Sequence, residues 1–311
     1  FYFSLFTTLF LLASCAPTPA QPRTITILTH DSFAISEDVI KTFEADNNAK
    51  VAFIQSGDAG SMLNQAILTK DAPLADILFG VDNTFLSRAL DADIFEPYQS
   101  PVLSDISAEY ILDKTYHVLP VDYGDVCINY DKIYFAKNNL TIPQSFEDLA
   151  KPEYKDLLVV EDPATSSPGL AFLLATRAHF GDGYLDYWQS LKANGVVIVD
   201  GWETAYYTNF SASSGKGPQP MVVSYASSPA AEVFFASTPL TESPTASIVA
   251  SDMCFRQIEF VGILKNTLNQ ALAQKFVDFM LSQQFQEDMP LNMFVYPVNQ
   301  KAQLPEVFVK Y

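Results

Sequence analysis

The chain has 311 residues, too many for one compact core and enough for two lobes of ordinary domain size. Hydrophobic residues make up 49% and neither Pro nor Gly is in excess, which counts against disorder. Acidic residues outnumber basic ones 36 to 18, and the formal charge of -18 counts against nucleic acid and anionic membrane faces; it suits a cationic ligand, and equally plain solubility.

In chain order, residues 1–12 are an apolar run, too short for a confident membrane span, and Leu12-Ala13-Ser14-Cys15 closes it. This ending resembles a bacterial lipobox, in which the Cys becomes the lipid-bearing first mature residue. Residues 1–15 are therefore expected to be a lipoprotein signal, Cys15 the lipid attachment site, and residues 16–23 a tether. A plain cleavable signal with an incidental Cys is the alternative. No Met, Lys or Arg precedes the apolar run, so the first residues of the signal are expected to lie outside the sequence.

Residues 24–29 read as a β-branched strand, followed by the polar cluster His30-Asp31-Ser32 and a helix from near Glu37. Residues 50–55 form a second strand, the turn with Asp58 and Ser61 follows, and a helix starts near Met62. Residues 76–81 are a third strand, ending at Asp82-Asn83 before another helix. This alternation predicts a parallel α/β sheet, and in such sheets ligands bind beyond the carboxyl ends of strands. His30, Asp31, Asp58, Ser61, Asp82 and Asn83 are thus candidate ligand-binding residues. Helix capping is the simpler account of any one cluster.

Residues 116–130 read as one long extended segment with Asp122-Tyr123-Gly124 near its middle, as expected of an interdomain crossover, and Asp122 and Tyr123 are further candidate ligand-binding residues. Pro120 disfavours a central sheet position for it. A second α/β region has strands at 157–160, 196–199 and 221–225 and a helix from about Gly169. Residues 255–263 fit a return crossover, and residues 272–285 an amphipathic helix. The C-terminal stretch reads as irregular.

Glu161-Asp162-Pro163-Ala164-Thr165-Ser166-Ser167-Pro168-Gly169 ends a strand and opens a helix. Its hydroxyls and free N–H groups suit a phosphate or other anion, with Thr165, Ser166 and Ser167 as candidates; a well-capped helix without ligand is the alternative. Trp202, Tyr206 and Tyr225 follow strands, and Phe294 and Tyr296 lie near the C-terminus. Aromatic faces there would attract a cation. Catalysis is poorly supported: there are three His and no nucleophile elbow, HExxH pair or Walker loop. Setting Cys15 aside, Cys127 and Cys254 could pair as a disulfide or remain two buried thiols. Neither has a second Cys or a His at ligand spacing, so no metal is expected.

Together the stretches Thr29-His30-Asp31-Ser32-Phe33, Phe43-Glu44-Ala45-Asp46, Asp82-Asn83, Val121-Asp122-Tyr123-Gly124, Asp162 to Leu170, Gly201-Trp202-Glu203-Thr204-Ala205-Tyr206, Ser224-Tyr225 with Ser228-Pro229, and Tyr296-Pro297-Val298 resemble the periplasmic thiamine-binding proteins of ABC transporters. The resemblance implies a two-lobed type II periplasmic-binding-protein fold. Each lobe would be a mostly parallel sheet flanked by helices, with two crossover strands as hinge. Lobe 1 would be 24–121 plus 259–290 and lobe 2 122–258, with 291–311 a C-terminal segment of unassigned lobe. It implies thiamine or a thiamine phosphate in the cleft, without cofactor or catalysis. The partners would be an ABC permease and ATPase and, through the lipid anchor, the outer face of a membrane; the protein would be a monomer. By position, Trp202 and Tyr225 would face the ligand rings, Asp58 the charged or amino portion, and Ser166 with its neighbours the phosphate or hydroxyl end.

Three positions depart from the family: His30 and Ala231 stand where it has Tyr, and Phe294 where it has Trp. These departures point toward unphosphorylated thiamine or a related pyrimidine. Two other readings remain. A ferric-iron binder would use adjacent Tyr ligands near Ser224-Tyr225, where only one Tyr stands. A thiamine-degrading enzyme would need Cys127 as nucleophile.

Overall fold

The computed structural model describes residues 21–212, 216–250 and 252–311. The expected signal segment with Cys15 lies outside the described residues, as does most of the tether. Among the described residues eleven strands join in one sheet: β1 (Arg23–Thr29), β2 (Ala49–Gln55), β3 (Ile77–Asp82), β4 (Phe95–Glu96), β5 (Leu119–Asp131), β6 (Leu158–Glu161), β7 (Val197–Val199), β8 (Met221–Tyr225), β9 (Thr245–Ile248), β10 (Phe255–Leu264) and β11 (Tyr296–Pro297). The main path runs β2-β1-β3-β10-β5-β8-β6-β7. Pairing is parallel among β1, β2 and β3 and among β6, β7 and β8. It is antiparallel where β10 meets β3 and β5, and where β5 meets β8. Two parallel blocks are thus joined by the antiparallel pair β5–β10.

Alternation along the strands gives each block a core on both faces. In the first block Ile27 and Ile77 face one cluster, while Leu28 and Leu78 face another. In the second, Val160 and Val223 face one cluster, and Val159 and Val222 the other. Burial on both faces explains why β3, Ile-Leu-Phe-Gly-Val-Asp, reads as an unbroken run and not as an alternating one. The blocks are two lobes, and β5 and β10 are the strands that pass between them.

Pro120 is accommodated inside β5 after all. It lies beside an irregularity in the β10 register, before the residues of β5 that pair with β11, Asp122 and Tyr123, and with β8, from Val126. No ladder bond is lost on the open side. The helix expected over 272–285 is two helices, Gln270–Leu281 and Gln283–Met293. Ser282 leaves the helical conformation with ψ 154°, and its hydroxyl accepts from the Phe285 N–H, capping the second helix. The C-terminal stretch is more regular than its sequence suggests, holding that second helix, β11 and the helix Glu306–Lys310.

Cys127 and Cys254 form a disulfide, with Cα atoms 4.4 Å apart. It ties β5 to the residue just before β10, on the second-lobe side of the crossover pair. Neither sulfur is a free thiol, so Cys127 is not available as the nucleophile that a thiamine-degrading enzyme would need.

Candidate functional site

A cleft of about 210 Å3 opens between the lobes. The segment beyond β1 supplies His30, Ser32 and Ala34, and the helix Ala59–Leu68 supplies Asp58 at its N-cap. Across the cleft stand Ser167 and Pro168 at the start of the helix Ser167–Phe180, then Trp202, Glu203, Tyr206 and Tyr207, and then Tyr225 and Ser228 around the end of β8. Glu259 comes from β10. Ala231, Phe235, Asn292, Phe294 and their neighbours close the far end.

Trp202 is held as a wall. Its indole N–H donates to Ser224 Oγ at 2.9 Å, and Ser224 is in turn 2.9 Å from Ser228 Oγ. Its ring stacks on Tyr206 with centroids 5.1 Å apart and planes 18° apart, while Tyr207 and Tyr225 meet it edge-on. The Tyr206 hydroxyl donates to Glu232 Oε1 at 2.5 Å, and the Tyr225 hydroxyl to Gln257 Oε1 at 3.3 Å. An aromatic wall of this kind, partly open to the cleft, offers a flat face to a flat ligand and an electron-rich one to a cation.

Asp58 lines the cleft and is also tied to backbone on both sides of it. Its Oδ1 accepts from the N–H groups of Ala59 at 2.6 Å and Ser167 at 3.4 Å, and its Oδ2 from that of Trp202 at 3.0 Å. One carboxylate thus joins three helix starts, one from the first lobe and two from the second. Next to it the N–H groups of Gly60 and Ser61 donate to Thr165 O at 2.9 and 3.3 Å. Gly60 is needed for this approach: a Cβ there would lie 2.8 Å from the carbonyl oxygens of Ala164 and Thr165. The helix start where an external anion was expected is therefore occupied by the protein's own carboxylate.

The other expected residues divide into three groups. His30, Asp58, Ser167, Trp202, Tyr206, Tyr225 and Phe294 line the cleft. Asp82 and Asp122 lie beneath it, fully buried. The rest serve the frame. Asn83 ties the end of β3 to β10, donating to Arg256 O and accepting from the Ile258 N–H. Ser166 caps its helix, Thr165 donates to Asp200 O at 2.7 Å, Ser61 faces Thr165, and half-buried Asp31 sits at the margin. Tyr123 and Tyr296 are off the lining. Strand alternation turns Tyr123 away from the Asp122 side, into a stack with Tyr110 at 4.8 Å and Tyr296 at 5.3 Å, with the Arg256 guanidinium 4.7 Å above its ring. The sequence reading missed Glu203 and Glu259 among others; for Glu259 the available signal was a lone carboxylate inside an apolar strand.

The cleft is acidic. Asp58, Glu203 and Glu259 line it, and among the described residues no Lys or Arg does. Burial, followed by the like charges of Asp31 and Asp58, raises the Glu203 carboxyl. Burial also raises Asp58, against the pull of its hydrogen bonds. Beneath the cleft, burial pushes Asp82 and Asp122 up to about 7 and holds Glu161 well above the carboxylate range. Burial lowers His30 to about 4; its ring covers Gly80, where a Cβ would clash with His30 Cδ2 and where the φ of +105° independently favours glycine. Its Nδ1 is 3.0 Å from Ser32 Oγ.

These shifts fix the pH dependence of stability. A buried acid with a raised value keeps its proton when folded and loses it when unfolded, so stability declines as pH rises from the unfolded value toward the folded one. His30 acts in the opposite sense between about 4 and 6.5. Four acids, Asp82, Asp122, Glu161 and Glu259, outweigh one histidine. The ligand-free melting temperature is therefore expected to fall from about pH 5 to about pH 8, and less steeply in Asp122→Asn. A rising melting curve over that range would contradict the assignment.

Among the described residues no group of three or more His, Cys, Asp or Glu side chains is arranged to hold a metal ion. No helix among them is long and apolar enough to cross a membrane. A family model described as bacterial extracellular solute-binding protein matches residues 72–308. The thiamine-binding periplasmic protein of Salmonella typhimurium is 32% identical over 302 residues, covering 96% of this chain and 87% of that protein. A solved periplasmic thiamin binding protein is 29% identical with a TM-score of 0.78, over 93% of this chain and 87% of that one. The periplasmic binding protein AfuA of Actinobacillus pleuropneumoniae, at 23% identity and a TM-score of 0.80 over 93% and 88%, shares the fold. The expected two-lobed type II architecture is the architecture found.

Proposed function

The chain belongs to the bacterial extracellular solute-binding proteins, and on that premise we propose that it binds thiamine in the interlobe cleft and delivers it to an ABC permease and its ATPase. The observation that carries this reading is the pairing of an aromatic wall, Trp202 on Tyr206, with lining carboxylates and, among the described residues, no Lys or Arg. Thiamine suits such a site: it has two flat rings, and its thiazolium bears a permanent positive charge. The same features disfavour a phosphate. The helix starts that would cradle one already hold Asp58, and its charges would meet Asp58, Glu203 and Glu259.

Within this reading, the lobes are 24–121 plus 259–290 and 122–258, hinged at β5 and β10, and 291–311 closes the far end of the cleft through Phe294. Cys15 carries the lipid that keeps the protein at the outer face of the membrane, and the monomer is the working unit. Transport needs no chemistry on the ligand, and the family and its relatives are solute-binding proteins.

Calorimetric titration of the lipid-free chain with thiamine, thiamine monophosphate and thiamine diphosphate tests the proposal. One-to-one binding is expected, tightest for thiamine and at least tenfold weaker for the diphosphate, about 1.4 kcal/mol. Preference for the diphosphate would overturn the charge argument, and binding of none would move the ligand elsewhere.

A further inference from the structure

Glu259 sits where three strands bring their carboxyls into one row. It is the register partner of Asp82 on β3 and of Asp122 on β5, so all three side chains project from the same face of the sheet. The β10 register is irregular just beyond it, between Glu259 and Phe260 against β5 and between Phe260 and Val261 against β3. Bulged strands of this kind re-aim a side chain. Glu259 alone of the three reaches the cleft lining, while Asp82 and Asp122 are sealed below. Among the described residues no N–H or hydroxyl donates to either buried Asp122 oxygen, which leaves Asp122 against the Glu259 carboxyl, and the buried His30 Nε2 is 3.6 Å from Glu259 Oε1. On its own strand Gln257 Nε2 lies 3.4 Å from Glu259 Oε1 and passes the contact on to Tyr225. The charged and titratable groups facing Glu259 are thus Asp122, Asp82, Asp58, His30 and Tyr225. None is a Lys or Arg.

Buried carboxyls packed in a row without a cation cannot all ionise, and they share protons. We infer that Glu259 is the residue that meets the positive charge of the bound ligand, and that it gives up a proton to solvent as it does so. The step balances: a neutral Glu259 carboxyl and a free cation become a carboxylate–cation pair, and the buffer takes the proton. Burial, then Asp122, Asp82 and Asp58, holds Glu259 well above the carboxylate range in the empty cleft, in keeping with this exchange. Selectivity follows. A neutral analogue brings no charge to offset ionisation in the buried row, and gains nothing from Glu259. The inference rests on the cationic ligand proposed above.

Calorimetry of the whole described chain with thiamine at pH 7, in phosphate and in Tris, reads the proton directly. The two buffers have different protonation enthalpies, so the observed binding enthalpies should differ by the equivalent of about one released proton. Affinity should rise with pH, by up to about tenfold per unit below the raised value. Glu259→Gln should abolish the buffer dependence and weaken binding, and Glu259→Asp should keep the dependence with reduced affinity. Glu161→Gln, a buried acid off the lining, should keep both. Tight binding with equal enthalpies in both buffers would overturn the inference and leave the ligand assignment standing. So would a buffer dependence retained in Glu259→Gln. Absence of thiamine binding in either buffer would overturn both.

Discussion

Asp58→Ala should lower thiamine affinity by roughly a hundredfold, about 2.7 kcal/mol, while leaving each lobe folded. The carboxylate accepts two N–H groups from the opposite lobe, at Ser167 and Trp202, and a hydrogen bond to a charged group contributes about 1.5–3 kcal/mol. Both bonds exist only while the lobes are together, so their loss falls on the closed form and not on either core. The third bond, to Ala59, caps a helix of the first lobe, and losing it costs about 1 kcal/mol of stability. Asp58→Asn separates these effects. The amide oxygen still caps the helix, but the charge that faces three helix starts is gone. Titration calorimetry together with thermal melts would show it: a large affinity loss with a small shift in melting temperature is expected for both variants, larger for Ala. An unchanged affinity in Asp58→Ala would remove the latch.

Trp202→Ala should weaken binding at least tenfold, about 1.4 kcal/mol. The indole offers the ligand one face of a wall whose other face is already packed on Tyr206, and its N–H is committed to Ser224. Truncation therefore removes a stacking surface, exposes the Tyr206 ring and leaves the Ser224–Ser228 pair without its donor. A cation over an aromatic face contributes about 0.5–2 kcal/mol, depending on how far it is desolvated. Trp202→Phe should recover a substantial part of the loss, because it restores a face without the N–H. If Ala bound as tightly as the wild type, the ligand would not be stacking here.

The sheet was largely legible because its strands are short, β-branched and buried on both faces, as at residues 24–29, 157–160 and 221–225. What sequence patterns could not resolve were features set by tertiary context. The break at Ser282 needs a hydroxyl to turn inward as a cap within an otherwise continuous apolar periodicity. The brief strands β4, β9 and β11 carry too little pattern to be recognised without their partners. The site was legible in its aromatics: Trp202, Tyr206 and Tyr225 line the cleft. Its polar residues were harder, since ligand contact and helix capping call for the same side chains. Asp58 is a cap that also lines the cleft, Ser166 is a cap off the lining, and Asn83 is a tie between strands. Tyr123 adjoins Asp122 in sequence, but adjacent residues on a strand face opposite ways.

The chain has two tryptophans, and Trp188 is held away from the cleft by its bond to Thr176. Trp188→Phe leaves Trp202 as the sole indole, so its emission reports the cleft wall alone. Titrating this variant with thiamine tests the central claim, that the ligand lies against Trp202 between the lobes. A saturable change in Trp202 emission is expected, with a midpoint equal to the calorimetric affinity of the same variant. Calorimetric binding with no change in that emission would place the ligand elsewhere and contradict the account.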